Sequence, residues 1–179
     1  MRSTRSRSSG RVGQRSPSRA AELVRWSAFA SAEPELAAFG EERLRAAPAY
    51  LATVRADGSP RVHPFTPIFG AGGLYLFMEP TSPKGRDLRE RGSFAIHNGV
   101  PDADGTGGEC WLAGRGRPVD DDATRAEVAR AASYELDERY VLFELSVTEV
   151  RCNGYGDVTL PVTTRWKSAD PADAADPTS

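Results

Sequence analysis

Apolar positions along the middle of the chain predict a series of short β-strands. Residues 74–78 form an uninterrupted apolar run, which is typical of a buried strand. Residues 140–151 predict the longest strand, because Val141 and Phe143 begin an apolar face that alternates with a polar face beginning at Glu144. The pattern therefore favours a sheet-based core.

Turn residues connect these strands into hairpins. Residues 50–55 predict a strand that ends at Asp57-Gly58, a dipeptide typical of tight hairpin turns. The return strand, 61–69, contains Pro64 and Pro67. Because proline has no N–H to donate to a β-ladder, this strand is expected to lie at an edge, to be bulged, or to face a ligand.

Further signals complete the list of elements. A second hairpin is predicted at 70–73, and further strands are predicted at 93–97 and 109–119. Helical spacing runs through 21–47, and the three aspartates 120–122 are placed to cap a helix over 123–132. With the helix that begins at Ser82-Pro83, this makes about six strands and three helices, a ratio that favours a small antiparallel barrel with short flanking helices.

Composition changes at both ends of the chain. Residues 1–20 are rich in Arg and Ser with no acidic residue, and residues 168–179 form an Ala/Asp/Pro tail. Neither segment has enough apolar surface to offset its ordering entropy, so both are predicted to be disordered around one domain at 21–167. A nucleic-acid role for the basic tail is the weaker alternative, and the net charge of −2 gives no general case for nucleic-acid binding.

Cysteine content and hydropathy restrict which classes of protein this chain can belong to. Cys110 and Cys152 form no metal-binding motif and suggest no disulfide framework, so they are expected to be small, half-buried residues. The sequence has no apolar run of membrane-spanning length and no signal-peptide pattern at its start. We therefore expect a soluble, cytoplasmic protein that does not bind a membrane.

A candidate anion site lies where the buried strand 74–78 is followed by a basic helix. Ser82 is placed to cap this helix, and Lys84 and Arg86 follow in its first turn. Cations are disfavoured there by the helix dipole unless an anion is bound, which suggests a phosphate site. The alternative is that both cations are simply solvated on a surface helix.

Three passages together carry a resemblance to a known family. They are residues 51–60, the Ser82-Pro83-Lys84 motif with Leu88, and residues 114–120. In this order, within 34–151, the chain resembles the pyridoxamine 5′-phosphate oxidase-like flavin-binding split barrel. The resemblance implies a mainly β (α+β) fold, an antiparallel split β-barrel, and a homodimer with FMN, or in related branches F420, at the subunit interface.

The resemblance also implies a cofactor site in two parts. The start of the basic helix would contact the cofactor phosphate, and the strand from His63 to Pro67 would line the flavin ring. The implied cofactor-binding residues are Ser82, Lys84, Thr81, Arg86, His63, Pro64, Phe65 and Thr66. The sequence indicates no metal site and no acid–base pair, so the catalytic residues are unknown.

Two departures separate the chain from true pyridoxamine phosphate oxidases. His63 stands where those enzymes carry an arginine, and Arg165-Trp166 replaces their Arg-Leu-x-Pro-like ending. A looser relative is therefore expected: an FMN- or F420-dependent oxidoreductase that transfers a hydride to or from a small organic substrate. The alternative is a non-catalytic flavin- or haem-binding module. His97 is expected to be a satisfied core histidine. Trp111 and Trp166 could stack on a flavin or close its pocket, but Trp111 is expected in the core, and the role of Trp166 is left open.

Overall fold

The computed structural model describes residues 23–46 and 48–169. Within them, the helices are α1 (Trp26–Ala32), α2 (Pro34–Ala46), α3 (Pro83–Arg91) and α4 (Asp122–Ala131). The strands are β1 (Ala49–Val54), β2 (Pro60–Phe65), β3 (Ile68–Gly70), β4 (Gly73–Met78), β5 (Ser93–His97), β6 (Glu109–Pro118), β7 (Val141–Asn153) and β8 (Arg165–Lys167).

The strands form one curled antiparallel sheet with the order β2-β1-β5-β6-β7-β4-β3. The 13-residue strand β7 pairs with β6 along most of its length, and also with β4 and β8. The extended period-2 pattern at 140–151 predicts this long strand, although Glu144 and Ser146 of its polar face are buried. The predicted mainly β (α+β) antiparallel split barrel is confirmed.

Apolar side chains fill the inside of the curled sheet. Leu51, Leu76, Leu112 and Phe143 come from four different strands and are almost completely buried. A second, smaller cluster lies on the opposite face of the sheet, where Val128 of α4 packs with residues such as Tyr75 and Leu142. Burial of apolar surface on both faces makes this part of the sheet the most strongly stabilised.

The turn signals are confirmed at both predicted hairpins. After β1, the Arg55 N–H donates to the Ser59 carbonyl at 2.9 Å, and Gly58 has a φ of 83°. Between β3 and β4, Ala71 and Gly72 both have positive φ, as a two-residue turn of the primed type requires. Strand β2 lies at the end of the sheet, as its prolines predict.

The structure contains more elements than the pattern predicts. The prediction of one return strand at 61–69 is wrong, because the chain leaves the ladder at Thr66-Pro67 and divides it into β2 and β3. Strand β8 is three residues long, which is too short to show a periodic signal. The helical region at 21–47 is divided between α1 and α2, because the chain leaves helical geometry at Glu33 and restarts at Pro34.

The expectation for the cysteines is wrong. Cys110 and Cys152 lie opposite each other in the β6–β7 register and form a disulfide, and both are fully buried. They are 42 residues apart in the sequence, so only the pairing of these two strands brings them together.

Residues near both ends of the described chain pack against β7 and each other. Val24 and Val147 exchange two backbone hydrogen bonds, at 3.1 and 2.8 Å. The Phe29 ring of α1 lies 4.9 Å from the Trp166 ring of β8, measured between centroids. Trp166 therefore packs at the margin of the core.

An ion-pair cluster adds to this attachment. The Arg25 Nε donates to the buried Glu144 at 2.7 Å, and Arg117 pairs with the same carboxylate. Tyr75 also receives a hydrogen bond from Arg25, at 2.8 Å. Arg25 thus holds the start of α1 against the outside of β4 and β7.

The predicted tails extend beyond the part of the chain that the structure describes. Residues 1–20 lie outside it, as do 170–179 of the predicted tail 168–179. Ser168 is described and buried, and its N–H donates to the Thr148 carbonyl at 2.9 Å. Among the described residues, no helix has the length and apolar character needed to cross a membrane.

Candidate functional site

Helix α3 begins as its sequence predicts. Ser82 occupies the N-cap position and Pro83 the first turn, and the Ser82 N–H closes a turn to the Glu79 carbonyl at 2.9 Å. The Ser82 side chain makes no capping hydrogen bond, and its Oγ lies 4.0 Å from the Met78 Sδ. The hydroxyl at this helix start is therefore not used to close the helix.

Lys84 is the unusual charge at this helix start. Its side chain is half-buried, and it forms no ion pair with another described residue. Burial lowers the pKa of the Lys84 ammonium, because a desolvated charge loses its hydration. Thr81 and Arg86 are exposed on either side of it. This donor set fits a phosphate, because the ammonium has no ion pair among the described residues and the Ser82 hydroxyl has only a long contact with a thioether sulfur.

Strand β2 carries the second predicted group. His63 and Pro64 are exposed on this strand, and they pair in register with Leu51 and Tyr50 of β1. Phe65 is only 7% exposed and packs in the barrel core. Thr66 is exposed beyond the end of the strand. His63, Pro64 and Thr66 are thus accessible to a ligand, and the Phe65 side chain is committed to packing.

A buried ion pair joins α3 to β2. The Arg61 Nε donates to Asp87 Oδ2 at 2.8 Å, and the Thr53 hydroxyl donates to the same oxygen at 2.8 Å. Burial alone would raise the pKa of Asp87, but the hydrogen bonds from Arg61 and Thr53 outweigh it and hold that pKa below its ordinary value. Asp87 is therefore a charged anchor between the helix and the strands.

Two cavities are lined by residues of the predicted ring-binding group and, within residues 23–46 and 48–169, by no residue of α3. A cavity of about 610 Å³ is lined by Pro64 but by no residue of α3. A second cavity, of about 360 Å³, is lined by Thr66 and likewise by no residue of α3. The Arg61–Asp87 pair is the direct polar link between the helix that carries Lys84 and the strand that carries His63.

Sequence reasoning missed the three residues of this link. Asp87 is the first of two acidic residues in the basic helix α3, and an acid among these cations was the available signal. Its partners Thr53 and Arg61 face the same side of the β1–β2 hairpin, opposite each other in register. These partners could be found only by knowing where α3 lies over the sheet, and no local sequence pattern gives that position.

The outer face of β2, β1, β5 and β6 is apolar and largely uncovered. Val62 is 59% exposed and Tyr50 is 49% exposed. Ala95 is exposed on the neighbouring strand β5, opposite Ala52 of β1. A contiguous apolar face of this kind on a folded chain is typical of an interaction surface.

His97 and Trp111 lie on this same face rather than in the core. The side chain of His97 is 39% exposed; its Nε2 is 3.1 Å from Glu109 Oε2, and its Nδ1 accepts from the Gly99 N–H at 2.9 Å. Trp111 is half-buried opposite His97. The expectation of a satisfied histidine is confirmed, but its core position is wrong. The described residues contain no group of three or more His, Cys, Asp or Glu side chains that could hold a metal ion.

Comparison with known families gives a match over most of the described chain. The family model described as pyridoxamine 5′-phosphate oxidase matches residues 33–153. The match includes β1 to β7 and therefore both predicted site groups. Among proteins of curated function, none matches this chain.

Solved structures share the fold. A haem-binding protein from Mycobacterium smegmatis is 25% identical, with a TM-score of 0.53; the alignment covers 71% of this chain and 57% of that protein. The chain thus spans less than two thirds of that relative. HutZ, the haem storage protein from Vibrio cholerae, is 19% identical with a TM-score of 0.54, covering 69% of this chain and 96% of HutZ. A NimC/NimA family protein from Clostridium acetobutylicum is 20% identical with a TM-score of 0.52, covering 66% and 86%. At these lower identities the likeness concerns the fold.

Proposed function

Because the chain belongs to the pyridoxamine 5′-phosphate oxidase family, we propose that it is a flavin-dependent oxidoreductase, a looser relative rather than a true pyridoxamine phosphate oxidase. It binds FMN, or alternatively the deazaflavin F420, and transfers a hydride to or from a small organic substrate. The bound cofactor supplies the hydride chemistry, and the chain supplies binding, orientation and electrostatics.

The observation that carries this proposal is the state of Lys84. A half-buried ammonium without an acidic partner is unfavourable unless a ligand supplies the missing negative charge. Ser82 beside it has a hydroxyl that is free of the capping role. We assign the cofactor phosphate to Ser82 and Lys84, with Thr81 and Arg86 adding to the positive field from exposed positions.

Strand β2 is the proposed support for the flavin ring. His63 and Pro64 are accessible on this edge strand, and Thr66 is accessible just after it. The Arg61–Asp87 pair fixes the strand against α3, so the phosphate-binding and ring-binding groups keep a constant separation. In this arrangement Phe65 acts through packing, since its side chain lies in the core.

The proposed active form is a homodimer with cofactor at the subunit interface. Two features support it. The outer sheet face around Tyr50 and Val62 is apolar and uncovered in the single chain. In the part of the chain that the structure describes, the cavities lined by Pro64 and by Thr66 include no residue of α3, which is consistent with a site completed by a second copy.

The test is a visible absorption titration of the purified protein with FMN and then with F420, together with light scattering to measure the molecular mass. We expect a perturbed band with one of the two cofactors and the mass of a dimer. A protein that leaves the spectra of both cofactors unchanged would refute the oxidoreductase proposal.

A haem-binding module is the second candidate function, and the 25% identity to the Mycobacterium smegmatis haem-binding protein favours it. The chain has two histidines. Both ring nitrogens of His97 already have partners, whereas His63 is exposed on β2. His63 is therefore the candidate axial ligand of a bound haem.

Titration with haemin separates the two candidates. If the chain is a haem module, haemin produces a sharp Soret band that is lost in His63→Ala and kept in His97→Ala. If the flavin proposal is correct, FMN or F420 binds more tightly than haemin, and His63→Ala keeps the phosphate-dependent part of the affinity.

A further inference from the structure

A preformed cavity lies beside strand β2 and away from the phosphate-binding end of α3. Its volume is about 610 Å³, which is within the range of small-molecule pockets. Tyr50 and Pro64, which are opposite each other in the β1–β2 register, form part of its wall. Pro48, Val100 and Pro101 contribute further apolar surface.

Arg43 is the single charged side chain among the described residues that line the cavity, and its guanidinium is already bound to other groups of the chain. The Arg43 Nε donates to the Gly107 carbonyl at 2.6 Å, and its Nη1 donates to the Phe39 carbonyl at 3.0 Å. The guanidinium also lies 3.2 Å from the centroid of the Phe39 ring, and the side chain is only 15% exposed. Its charge is paired with Glu42, whose Oε2 lies 3.4 Å from Arg43 Nη1, so Arg43 serves mainly to fasten the cavity wall.

The amide of Asn98 is committed in the same way. Its Nδ2 donates to the Gly99 carbonyl at 2.5 Å, and its Oδ1 accepts from the Cys110 N–H at 2.6 Å. A ligand that carries a carboxylate or phosphate would thus lose its hydration here without gaining a charged partner.

The loop that forms one wall, residues 98–108, is folded on itself. Asp102 Oδ1 accepts from the N–H groups of Asp104 and Thr106, at 3.1 and 3.0 Å. Gly99 has a φ of 71°, and a Cβ at this position would lie 3.2 Å from the Tyr50 ring. Glycine therefore lets the loop backbone approach the ring, and the cavity has a defined shape.

We propose that this cavity binds an uncharged, flat, hydrophobic organic molecule, and that this is the substrate class of the protein. The assignment to a substrate rests on the proposed function, because Pro64 belongs to both the cavity wall and the strand proposed to support the flavin ring. Pyridoxamine phosphate, which carries charges at both ends, does not fit these walls.

The experiment compares two probes with the same ring system, 2-naphthol and 2-naphthoate. At neutral pH the first is uncharged and the second is an anion. Each is titrated by calorimetry into the full-length protein without cofactor. We expect 2-naphthol to bind at least about tenfold more tightly, because the walls provide no partner for the anion.

Two variants connect this preference to the cavity. Tyr50→Ala should weaken 2-naphthol binding by about fivefold, since it removes the aromatic face, whereas Tyr134→Ala, an exposed tyrosine outside the cavity, should leave it unchanged. Val100→Lys places a cation in an exposed part of the wall and should raise the affinity for 2-naphthoate by about tenfold.

The inference is overturned if 2-naphthoate binds as tightly as 2-naphthol, if neither binds, or if neither Tyr50→Ala nor Val100→Lys alters binding. Because these titrations contain no cofactor, they are independent of the FMN and F420 titrations. Selective 2-naphthol binding without cofactor binding would support the cavity and refute the oxidoreductase proposal. Cofactor binding without 2-naphthol binding would support the oxidoreductase proposal and refute the proposed cavity ligand.

Discussion

Asp87 of α3 and Arg61 of β2 form a hydrogen-bonded ion pair, with 2.8 Å between Oδ2 and Nε. Both side chains are largely buried, and Thr53 donates to the same carboxylate oxygen. A charged group in such a position stabilises the fold only while its partner is present. The pair therefore determines how firmly the proposed phosphate-binding helix is held to the proposed ring-binding strand.

Replacing Asp87 should destabilise the protein measurably. In Asp87→Asn the guanidinium of Arg61 loses its counter-charge, and we expect the free energy of unfolding to fall by about 1–3 kcal/mol. Urea unfolding provides the measurement. Asp137→Asn is the control, because Asp137 forms an exposed pair with Arg139 that contributes less than about 0.5 kcal/mol. Equal stability of Asp87→Asn and the parent would contradict the assigned role.

The same residue predicts a dependence of stability on pH. The pKa of folded Asp87 is below its unfolded value, so the folded state binds this proton more weakly. Its contribution is therefore fully present above the unfolded pKa and is lost as the pH falls through the folded pKa. Unfolding of the parent and of Asp87→Asn should be measured across an acidic pH series. The difference in stability should shrink as the pH is lowered, and a constant difference would rule out titration of Asp87.

Lys84→Ala should weaken cofactor binding without loss of the fold. A charged phosphate contact contributes about 1.5–3 kcal/mol, which corresponds to about a 10- to 100-fold rise in the dissociation constant. Lys167→Ala is the matched control, since Lys167 is the other lysine of the chain and is exposed on β8. FMN fluorescence quenching measures both. If Lys84→Ala binds the cofactor as tightly as the parent does, the assignment of the phosphate to this helix start is wrong.

Replacing either of two glycines by alanine should change the stability of the protein, but with opposite signs. A Cβ on Gly114 would overlap the backbone oxygen of Ser146, at the point where the β6–β7 register shifts. Gly114→Ala should therefore destabilise the protein by about 2 kcal/mol or more. Gly40 lies inside α2, and an added methyl would meet only ordinary contacts, the nearest being Cys110 Sγ at 3.6 Å. Gly40→Ala should stabilise by about 0.5–1 kcal/mol, and thermal unfolding of both variants decides the signs.

Reduction of the Cys110–Cys152 disulfide should lower stability. The bond closes a loop of 42 residues, and its loss restores the entropy of the unfolded chain by about 4 kcal/mol in the chain-entropy description. Urea unfolding with and without a phosphine reductant measures the change. The double variant Cys110→Ala with Cys152→Ala should not respond to the reductant. Two alkylatable thiols in the unreduced, denatured protein would show that the bond is absent.

Local chemistry explains why some features were predictable from the sequence. The Asp57-Gly58 and Ala71-Gly72 turns and the Ser82-Pro83 helix start depend on residues that are adjacent in the chain. Helix α4 is another example, because Asp121 caps it by accepting from the Thr124 N–H at 2.7 Å. The candidate site residues at the start of α3 were proposed from the same kind of local signal, and their role stays a prediction.

The features that were missed depend on contacts between distant segments. The Cys110–Cys152 bond requires the β6–β7 register, which changes at Ala113/Gly114 and cannot be counted from sequence spacing. The half-burial of Lys84 and the Arg61–Asp87 pair likewise depend on where α3 lies over the sheet. Hydrophobic periodicity predicts which face of an element is buried, but not which element covers it.

The pairing of Val24 and of β8 with β7 means that the family match does not delimit the folding unit. The match ends at residues 33 and 153, yet Val24 pairs with Val147, and Phe29 of α1 packs on Trp166 of β8. Each flanking segment therefore covers part of the other. A fragment cut at the family boundaries would therefore expose two apolar surfaces at once, one left by each missing segment.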